Sequence, residues 1–167
     1  LVANRPGLLR VFVTPSSEWE VKKVTATLTI ASGKKTLKTL DETISVSNTS
    51  SDGTLKSTFN FDLGADDLPL GASFSVTLHD EEGEAVAVGE SSSARYPKDG
   101  STESFKLTNL AGKLKVVIVP IKYMADGSGR TADVSSEQLE IYRQRLVQLY
   151  PIEDAEVTAR QAVSWNQ

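Results

Sequence analysis

The pattern of apolar and polar residues along the chain changes at Gly112. Before this residue, short segments alternate apolar and polar side chains and are separated by Gly, Pro, Asn and Asp. Such alternation predicts antiparallel strands that bury one face and expose the other to water. Several short strands of this kind, with no helical periodicity before residue 135, favour a β-sandwich or barrel. The predicted strands are Leu8–Thr14, Val24–Ile30, Lys35–Leu40, Thr43–Ser47, Leu55–Leu63, Phe74–Leu78 and Ala85–Val88.

The segment Leu68–Val76 indicates which type of β-sandwich to expect. In immunoglobulin-like and fibronectin-like sandwiches, a corner before the next-to-last strand contains a core leucine, a glycine bend and a tyrosine on the strand. The segment resembles such a corner, but its aromatic residue is Phe74, which keeps the packing role and lacks the hydroxyl. We therefore predict an immunoglobulin/fibronectin-like antiparallel β-sandwich over residues 1–110. A generic turn before a strand is the alternative.

The core of this sandwich is predicted from the alternating positions. Its two sheets are expected to extend from about residue 8 to residue 96. The residues expected inside are Val24, Ala26, Leu28, Phe59, Phe61, Phe74, Val76 and Leu78.

The residues after Gly112 predict a C-terminal β-α-β unit over residues 111–167. Leu114–Tyr123 is nearly continuously aliphatic, as in a central strand that is covered on both faces. Glu156–Val163 is predicted as the second strand, parallel to the first through a right-handed crossover. Because one such unit is small for a domain, we expect it to be the start of a truncated α/β domain that continues beyond Gln167.

The helix between these strands has start and stop signals. Ser135 and Gln138 fit a capping box, in which each side chain bonds the backbone amide of the other residue. Pro151 predicts the end of the helix at the preceding residue. An apolar stripe at helical spacing is expected to pack on the sheet. The stripe consists of Leu139, Tyr142, Leu146 and Leu149.

Composition and charge exclude several classes of protein. The net charge is −4, from 18 basic and 22 acidic residues, so the chain has no field that would attract nucleic acid. No apolar run approaches the roughly 20 residues of a membrane span. The sequence has no cysteine, which excludes disulfides and cysteine metal sites.

Candidate chemistry is sparse. His79 is the one histidine in the sequence, and a zinc protease needs two histidines four residues apart. We therefore predict no catalytic residue, no metal ligand and no cofactor. Asp126–Asp133 has the carboxylates and glycines of a calcium loop, although a turn explains the same glycines. Trp19, Tyr96 and Trp165 are compatible with a sugar-binding platform or with core packing.

Several segments resemble the N-terminal region of secreted bacterial zinc metallopeptidase-like proteins. They are Val117–Tyr123, Ala125–Arg130, Leu149–Pro151, Leu9–Val13 and Thr58–Phe61. In those proteins a β-rich region precedes a metzincin-like catalytic domain, whose zinc helix with H-E-x-x-H comes later. The resemblance implies that residues 111–167 are the N-terminal part of such a metzincin-like, catalytic-type domain. The catalytic motif does not occur in this chain.

This resemblance implies a non-catalytic accessory segment that positions or shields a downstream catalytic-type domain of the same polypeptide. It also implies a secreted or cell-surface location. The predicted partners are that downstream domain and a possible homodimer, without nucleic acid or a membrane span. The alternatives are an extracellular adhesion or carbohydrate-binding module and a structural spacer.

Overall fold

The computed structural model describes residues 1–86, 93–109 and 112–166, and this part of the chain is mainly β. It contains eleven strands, one α-helix and two short 3₁₀ turns. The strands are β1 (Gly7–Val11), β2 (Lys22–Ser32), β3 (Lys35–Val46), β4 (Phe59–Leu63), β5 (Ala72–His79), β6 (Arg95–Tyr96), β7 (Glu103–Ser104), β8 (Lys113–Ile118), β9 (Ile121–Tyr123), β10 (Asp154–Ala159) and β11 (Val163–Trp165), and the helix α1 spans Ser136–Leu149.

The chain divides into two compact units. Unit 1 comprises Leu1 and Ala3–Thr108, and unit 2 comprises Val2 and Asn109–Gln167. The boundary predicted from the sequence, between residues 110 and 111, lies outside the described residues.

Unit 1 contains two antiparallel sheets. The larger has the strand order β3-β2-β5-β6, and β7 also pairs with β5. Its register places Leu28 of β2 between Leu40 and Val76 on the neighbouring strands. The smaller sheet pairs β1 with β4, and β1 ends at Val11 rather than at the predicted Thr14.

The apolar faces of both sheets contribute to one buried cluster. Phe59 of β4 and Leu28 of β2 are among its fully buried side chains. Six of the eight predicted core residues are buried, whereas Phe74 and Leu78 pack against the cluster and are partly buried. The six buried residues are Val24, Ala26, Leu28, Phe59, Phe61 and Val76.

The corner before β5 joins the strand to this core. Leu68 is buried in the cluster, and Gly71 has a φ of +77°, which only glycine adopts without strain. Phe74 packs on the ring of Phe105 at a centroid distance of 4.7 Å and stacks on Tyr96 at 5.9 Å. The phenylalanine therefore has a packing role in the corner.

Two separate strands were predicted at Lys35–Leu40 and Thr43–Ser47. This prediction was wrong, because both segments lie in the single strand β3, which ends at Val46. The polar residues between them do not form a turn. Asp41 Oδ1 accepts a hydrogen bond from Thr27 Oγ1 of β2 at 2.6 Å, so the strand continues past it. This partner is distant in sequence and could not be read from the local pattern.

Two charged residues of β3 lie on the core side of this edge strand. Lys38 and Glu42 are in register with the buried residues of β2. Lys38 Nζ lies 2.6 Å from Asp67 Oδ2, and the Glu42 carboxylate accepts a hydrogen bond from the backbone amide of Asn60 in β4. Burial alone raises the pKa of Asp67, but hydrogen bonds from Lys38 and from the Gly64 amide outweigh it, so the pKa is lowered. Inward charges of this kind protect a sheet edge against unwanted pairing.

The predicted strand Leu55–Leu63 was wrong in its first half. Leu55–Ser57 forms a 3₁₀ turn, and the strand begins at Phe59. Thr58 Oγ1 donates to the Leu55 carbonyl at 3.0 Å. Such side-chain bonds to the local backbone compete with strand pairing.

The predicted strand Ala85–Val88 is described only in part, because residues 87 and 88 lie outside the described residues. Ala85 forms an isolated antiparallel bridge with His79, and Val86 is buried in the core cluster.

Unit 2 contains two pairs of parallel strands. β8 pairs with β10, and β9 pairs with β11. The helix α1 lies between β9 and β10 in the sequence and packs against β10. No helix in the described chain has the length and apolar character needed to cross a membrane.

The predictions of single strands over Leu114–Tyr123 and Glu156–Val163 were wrong, because each segment is divided. The first is interrupted at Pro120, which has no amide hydrogen to donate to a ladder. The Pro120 carbonyl instead accepts a hydrogen bond from Val163 at 2.9 Å, where β11 begins.

The prediction that β8 is a central strand covered on both faces was also wrong for the described chain. β8 pairs there with β10 alone. Val116 and Ile118 are partly buried, but Val117 and Val119 are about half exposed, at 51% and 49%. The aliphatic run therefore has one covered face and one exposed face.

Ser135 is confirmed as the N-cap of α1, since its Oγ accepts a hydrogen bond from the Gln138 amide at 3.3 Å. The prediction that the Gln138 side chain bonds the Ser135 amide was wrong. The Ser135 amide donates to Asp133 Oδ1 at 2.8 Å instead. The helix ends as predicted, with Tyr150 in an extended conformation before Pro151.

The predicted apolar stripe is correct for Leu139 and Leu146, which are partly buried. Tyr142 and Leu149 are exposed, so their place in the stripe was wrong. Arg143 is partly buried instead, because it pairs with an acidic residue at the start of β10.

A network of ion pairs joins α1 to both strands of the first pair. Asp154 of β10 accepts from Arg143 of the helix at 2.6 Å and from Lys113 of β8 at 2.8 Å. Arg143 also binds both carboxylate oxygens of Glu140 at 2.7 Å. Hydrogen bonds from Lys113, from the Ala155 amide and from Arg143 lower the pKa of Asp154 to about 2. This network anchors the helix to the sheet.

Candidate binding site

Unit 1 has a cavity of about 390 Å³ between its two sheets. Residues 11–16, at and after the end of β1, form one wall. Residues 93–96, which include β6, line it on the side of β5. Val24, Val46 and Val86 lie behind this lining and are almost fully buried.

Trp19 forms a fixed wall of this cavity. Its indole Nε1 donates to the Val46 carbonyl at 2.9 Å, and Lys22 Nζ lies 4.8 Å from the ring centroid. The hydrogen bond satisfies the polar atom of the indole, so the ring presents apolar surface to the cavity.

Tyr96 lines the same cavity, and three contacts fix its position. It pairs with Val76 in the sheet, stacks on Phe74 and donates from its hydroxyl to Glu103 at 3.4 Å. The tyrosine hydroxyl is therefore directed to a carboxylate of the protein.

The polar groups of the cavity are few. Thr14, Ser16 and Ser93 supply hydroxyls, and the basic residues Arg95 and Lys98 are exposed lining residues. The remaining lining is mainly aliphatic and aromatic. A site of this size with an apolar interior and a few polar groups is typical of small-molecule pockets.

The predicted aromatic residues do not form one platform. Trp19 and Tyr96 share the cavity of unit 1, whereas Trp165 belongs to β11 of unit 2. A sugar-binding site needs polar groups for the sugar hydroxyls as well as an aromatic face, and the aliphatic lining supplies few of them.

A second candidate surface lies on the exposed side of the strands in unit 2. We call it the apolar patch, and each of its residues is about half exposed. Val117 lies in β8, Val119 lies in the interruption before Pro120, and Ile121 is paired with Val163 in the separate pair β9 and β11. The apolar patch consists of Val117, Val119, Ile121, Val163 and Trp165.

His79 lies at the end of β5 and makes a local contact. Its Nε2 lies 3.0 Å from Thr77 Oγ1, and its Nδ1 is buried without a hydrogen-bond partner among the described residues. In the described chain, no three residues among His, Cys, Asp and Glu are grouped to hold a metal.

The acidic loop Asp126–Asp133 is arranged around an arginine. Asp126 accepts a hydrogen bond from the Ser128 amide at 3.0 Å and is paired with the guanidinium of Arg130. Hydrogen bonds from Ser128 and then from Arg130 lower the pKa of Asp126. Asp133 bonds the Ser135 amide at the start of α1. The two carboxylates therefore have separate structural partners.

The sequence did not reveal the lining of the cavity or the ion pairs around Asp154. Val24, Val46 and Val86 come from different strands and loops, and their common position is visible only in the folded chain. Trp19 and Tyr96 were recognisable as isolated aromatics, which was the only sequence signal for this site.

Comparison of the chain with models of protein families, with curated proteins and with solved structures gave no match.

Proposed function

We propose that the chain is a non-catalytic accessory segment of a secreted bacterial zinc metallopeptidase-like protein. In this proposal unit 1 is an immunoglobulin-like β-sandwich. Unit 2 is a β-α-β unit that forms the N-terminal part of a metzincin-like, catalytic-type α/β domain, whose remaining part packs on the apolar patch. The observation that carries the proposal is the apolar patch of unit 2.

The apolar patch supports docking because parallel strands normally have cover on both faces. In unit 2, α1 packs against β10, whereas Val117 of β8 and all residues of β9 and β11 are exposed. Burial of a large aliphatic or aromatic side chain contributes about 1.5–3 kcal/mol relative to full exposure. These residues are about half exposed, so a partner that covers them gains part of that free energy at each position.

The sequence supports an accessory role because it has one histidine and no H-E-x-x-H motif. A catalytic zinc site uses three protein ligands, commonly histidines. In this proposal the chain positions or shields the catalytic-type domain, and the zinc ligands come from the later part of that domain.

The first experiment reads the parent gene on the 3′ side of the codon for Gln167. We expect an H-E-x-x-H motif there. If the gene instead encodes no such motif, the metallopeptidase association is refuted.

The second experiment measures whether the longer protein covers the apolar patch. Hydroxyl-radical labelling of Trp165 should be several-fold lower in the full-length protein than in this chain. Leu55 of unit 1, which is 58% exposed, provides a matched control whose labelling should not change. Equal labelling of Trp165 in both proteins would exclude docking through the patch. A dimer of this chain in light scattering, dissociated by Val117→Lys, would assign the patch to self-association instead.

A ligand-binding sandwich module is the second candidate function. It is favoured by the cavity of unit 1, where Trp19 and Tyr96 are both fixed by hydrogen bonds.

A further inference from the structure

We propose that Asp52 is a modification site, at which aspartate isomerises spontaneously to isoaspartate by reaction with the amide of Gly53. The sequence contains three Asp-Gly pairs, at residues 52–53, 99–100 and 126–127. Glycine has no side chain to shield its amide nitrogen, so all three pairs are reactive in an unfolded chain. The folded chain protects two of them and leaves the first free to react. The proposal is independent of the metallopeptidase association and of the apolar patch.

The reaction links two neighbouring groups and releases one water. The Gly53 amide nitrogen loses its proton and forms a bond to Cγ of Asp52, and the hydroxyl of the protonated carboxyl group leaves with that proton as water. The product is a succinimide ring. Water then adds to the former backbone carbonyl carbon of Asp52, and the bond from this carbon to the Gly53 nitrogen breaks. The nitrogen regains a proton, and the backbone continues through Cγ as isoaspartate.

At Asp99 and Gly100 both reacting groups are already hydrogen-bonded. The Gly100 amide donates to the Pro97 carbonyl at 3.2 Å. Oδ1 of Asp99 accepts from the hydroxyl and from the amide of Ser101, at 2.7 and 3.0 Å. These two bonds lower the pKa of Asp99, so the protonated carboxyl group that releases water is scarcer. Cyclisation here must break hydrogen bonds on both partners.

Asp126 and Gly127 are protected in the same way. The Gly127 amide donates to the Met124 carbonyl at 3.0 Å. The Asp126 carboxylate accepts from the Ser128 amide at 3.0 Å and is paired with Arg130. Its lowered pKa again disfavours the protonated form.

Asp52 and Gly53 lack both restraints. Among the described residues, neither the Asp52 carboxylate nor the Gly53 amide has a hydrogen-bond partner. The turn is closed through other atoms, since the Thr54 amide donates to the Ser51 carbonyl at 3.2 Å. The position that a β-carbon would take on Gly53 lies 3.9 Å from Ser51 Oγ, so the space beside this amide is open. All three pairs are exposed, so the hydrogen bonds and not the exposure distinguish them.

Arg10 of β1 favours the isoaspartate product. Its Nη1 donates to the Asp52 carbonyl oxygen at 3.1 Å. When water attacks the carbon of this carbonyl, the guanidinium stabilises the negative charge that develops on the oxygen. In isoaspartate the same oxygen belongs to a carboxylate, and charge-assisted hydrogen bonds are about twice as strong as neutral ones. The net charge is unchanged, but the anion moves from the solvent to the Arg10 side chain.

The test is incubation of the unaltered folded chain at mildly acidic pH, below its unfolding temperature, followed by tryptic peptide mapping. Trypsin separates the three pairs into the peptides 39–56, 99–106 and 123–130. Electron-transfer fragmentation and an isoaspartate-specific methyltransferase identify the product. Isoaspartate should accumulate at Asp52 at least about tenfold faster than at Asp99 or Asp126, because at least two hydrogen bonds protect each of these. Equal rates, or a slower rate at Asp52, would overturn the proposal.

The same chain unfolded in urea is the matched control. There the hydrogen bonds are lost, and each pair is followed by a small hydroxyl residue, namely Thr54, Ser101 or Ser128. The three rates should therefore become similar. A tenfold excess at Asp52 that persists in urea would show that the local sequence, and not the fold, sets the rate. Formation of isoaspartate at Asp52 in urea but not in the folded chain would also refute the proposal.

The role of Arg10 is tested by hydrolysis in water labelled with ¹⁸O, which marks both products that form from the succinimide. Arg10→Gln removes the charge and should lower the ratio of isoaspartate to aspartate at Asp52 by about two- to fivefold, as for an exposed ion pair. The ratio at Asp126 is the internal control and should not change. An unaltered ratio at Asp52 would exclude Arg10 from the reaction.

Discussion

Replacement of Asp154 by asparagine should destabilise unit 2 at neutral pH and have little effect in acid. The carboxylate joins Arg143 of α1 to Lys113 of β8, at 2.6 and 2.8 Å. Asparagine keeps the size of the side chain but removes the charge that both cations face. Arg143 retains Glu140, so the main loss is the connection between the helix and the strands.

The size of the expected loss in the free energy of unfolding follows from the pKa of Asp154. Hydrogen bonds from Lys113, the Ala155 amide and Arg143 lower it from 3.8 to about 2. One pKa unit corresponds to about 1.4 kcal/mol, and the side chain is 28% exposed, so solvent screening reduces the effect. We expect a loss of about 1–2 kcal/mol in the free energy of unfolding of unit 2 at pH 7.

The pH dependence has a definite sign. A carboxyl group whose pKa is lowered by folding contributes stability above its unfolded pKa, and this contribution is lost as the pH falls through the folded pKa. For Asp154 the window therefore runs from about pH 4 down to about pH 2. The difference between the parent chain and Asp154→Asn should shrink across this window.

The assay is urea denaturation followed by the NMR signals of β10, which report on unit 2 separately from unit 1. Glu153→Gln is the control, since Glu153 is exposed and forms no ion pair among the described residues. It should change the free energy of unfolding by less than about 0.5 kcal/mol. An Asp154→Asn variant as stable as the parent at pH 7, or one whose deficit persists unchanged at pH 2, would refute the reasoning.

Three other predictions concern unit 1 and activity. Phe59→Ala should lower the free energy of unfolding of unit 1 by about 3–5 kcal/mol in urea denaturation. Phe74→Ala should lower it by less, because Phe74 is only partly buried, and equal effects of the two variants would contradict this ranking. Glu42→Ala should lower the free energy of unfolding of unit 1 by about 1–3 kcal/mol, because the Asn60 amide loses its acceptor. Glu42→Gln should recover at least half of that loss, and equal stability of the two variants would show that the hydrogen bond is unimportant. The purified chain should not cleave casein in a zinc-dependent manner, because His79 is its one histidine; chelator-sensitive cleavage would overturn this prediction.

The strands that the sequence predicted well are those whose pattern is local. β2 and β5 alternate apolar and polar residues throughout, and the structure places both within about two residues of the predicted bounds. β3 was divided because Asp41 and Glu42 interrupt the apolar pattern. Their partners, Thr27 and Asn60, lie on other strands. Tertiary hydrogen bonds of this kind have no local signal.

Unit 2 shows a different reason for error. Its aliphatic run was interpreted as a strand buried on both sides, because apolar composition and burial usually agree in parallel sheets. Composition does not specify what covers the second face. Val117 and Val119 are as apolar as Val116, yet they are half exposed. For the cavity of unit 1, the aromatic residues were visible in the sequence, but their proximity depends on how the two sheets pack.

The two units differ in the residues that they place on surfaces that could associate with another chain. In unit 1 the edge strand β3 directs Lys38 and Glu42 inward, and each binds a partner outside its own sheet. These charges make addition of a further strand unfavourable, which is a common defence of exposed edges. In unit 2, exposed apolar residues such as Val117 lie near exposed charged residues, including Lys115 and Glu156 on the same face of β8 and β10. An exposed group of apolar residues is a common feature of interaction sites, and the labelling of Trp165 tests whether a partner covers it in the longer protein.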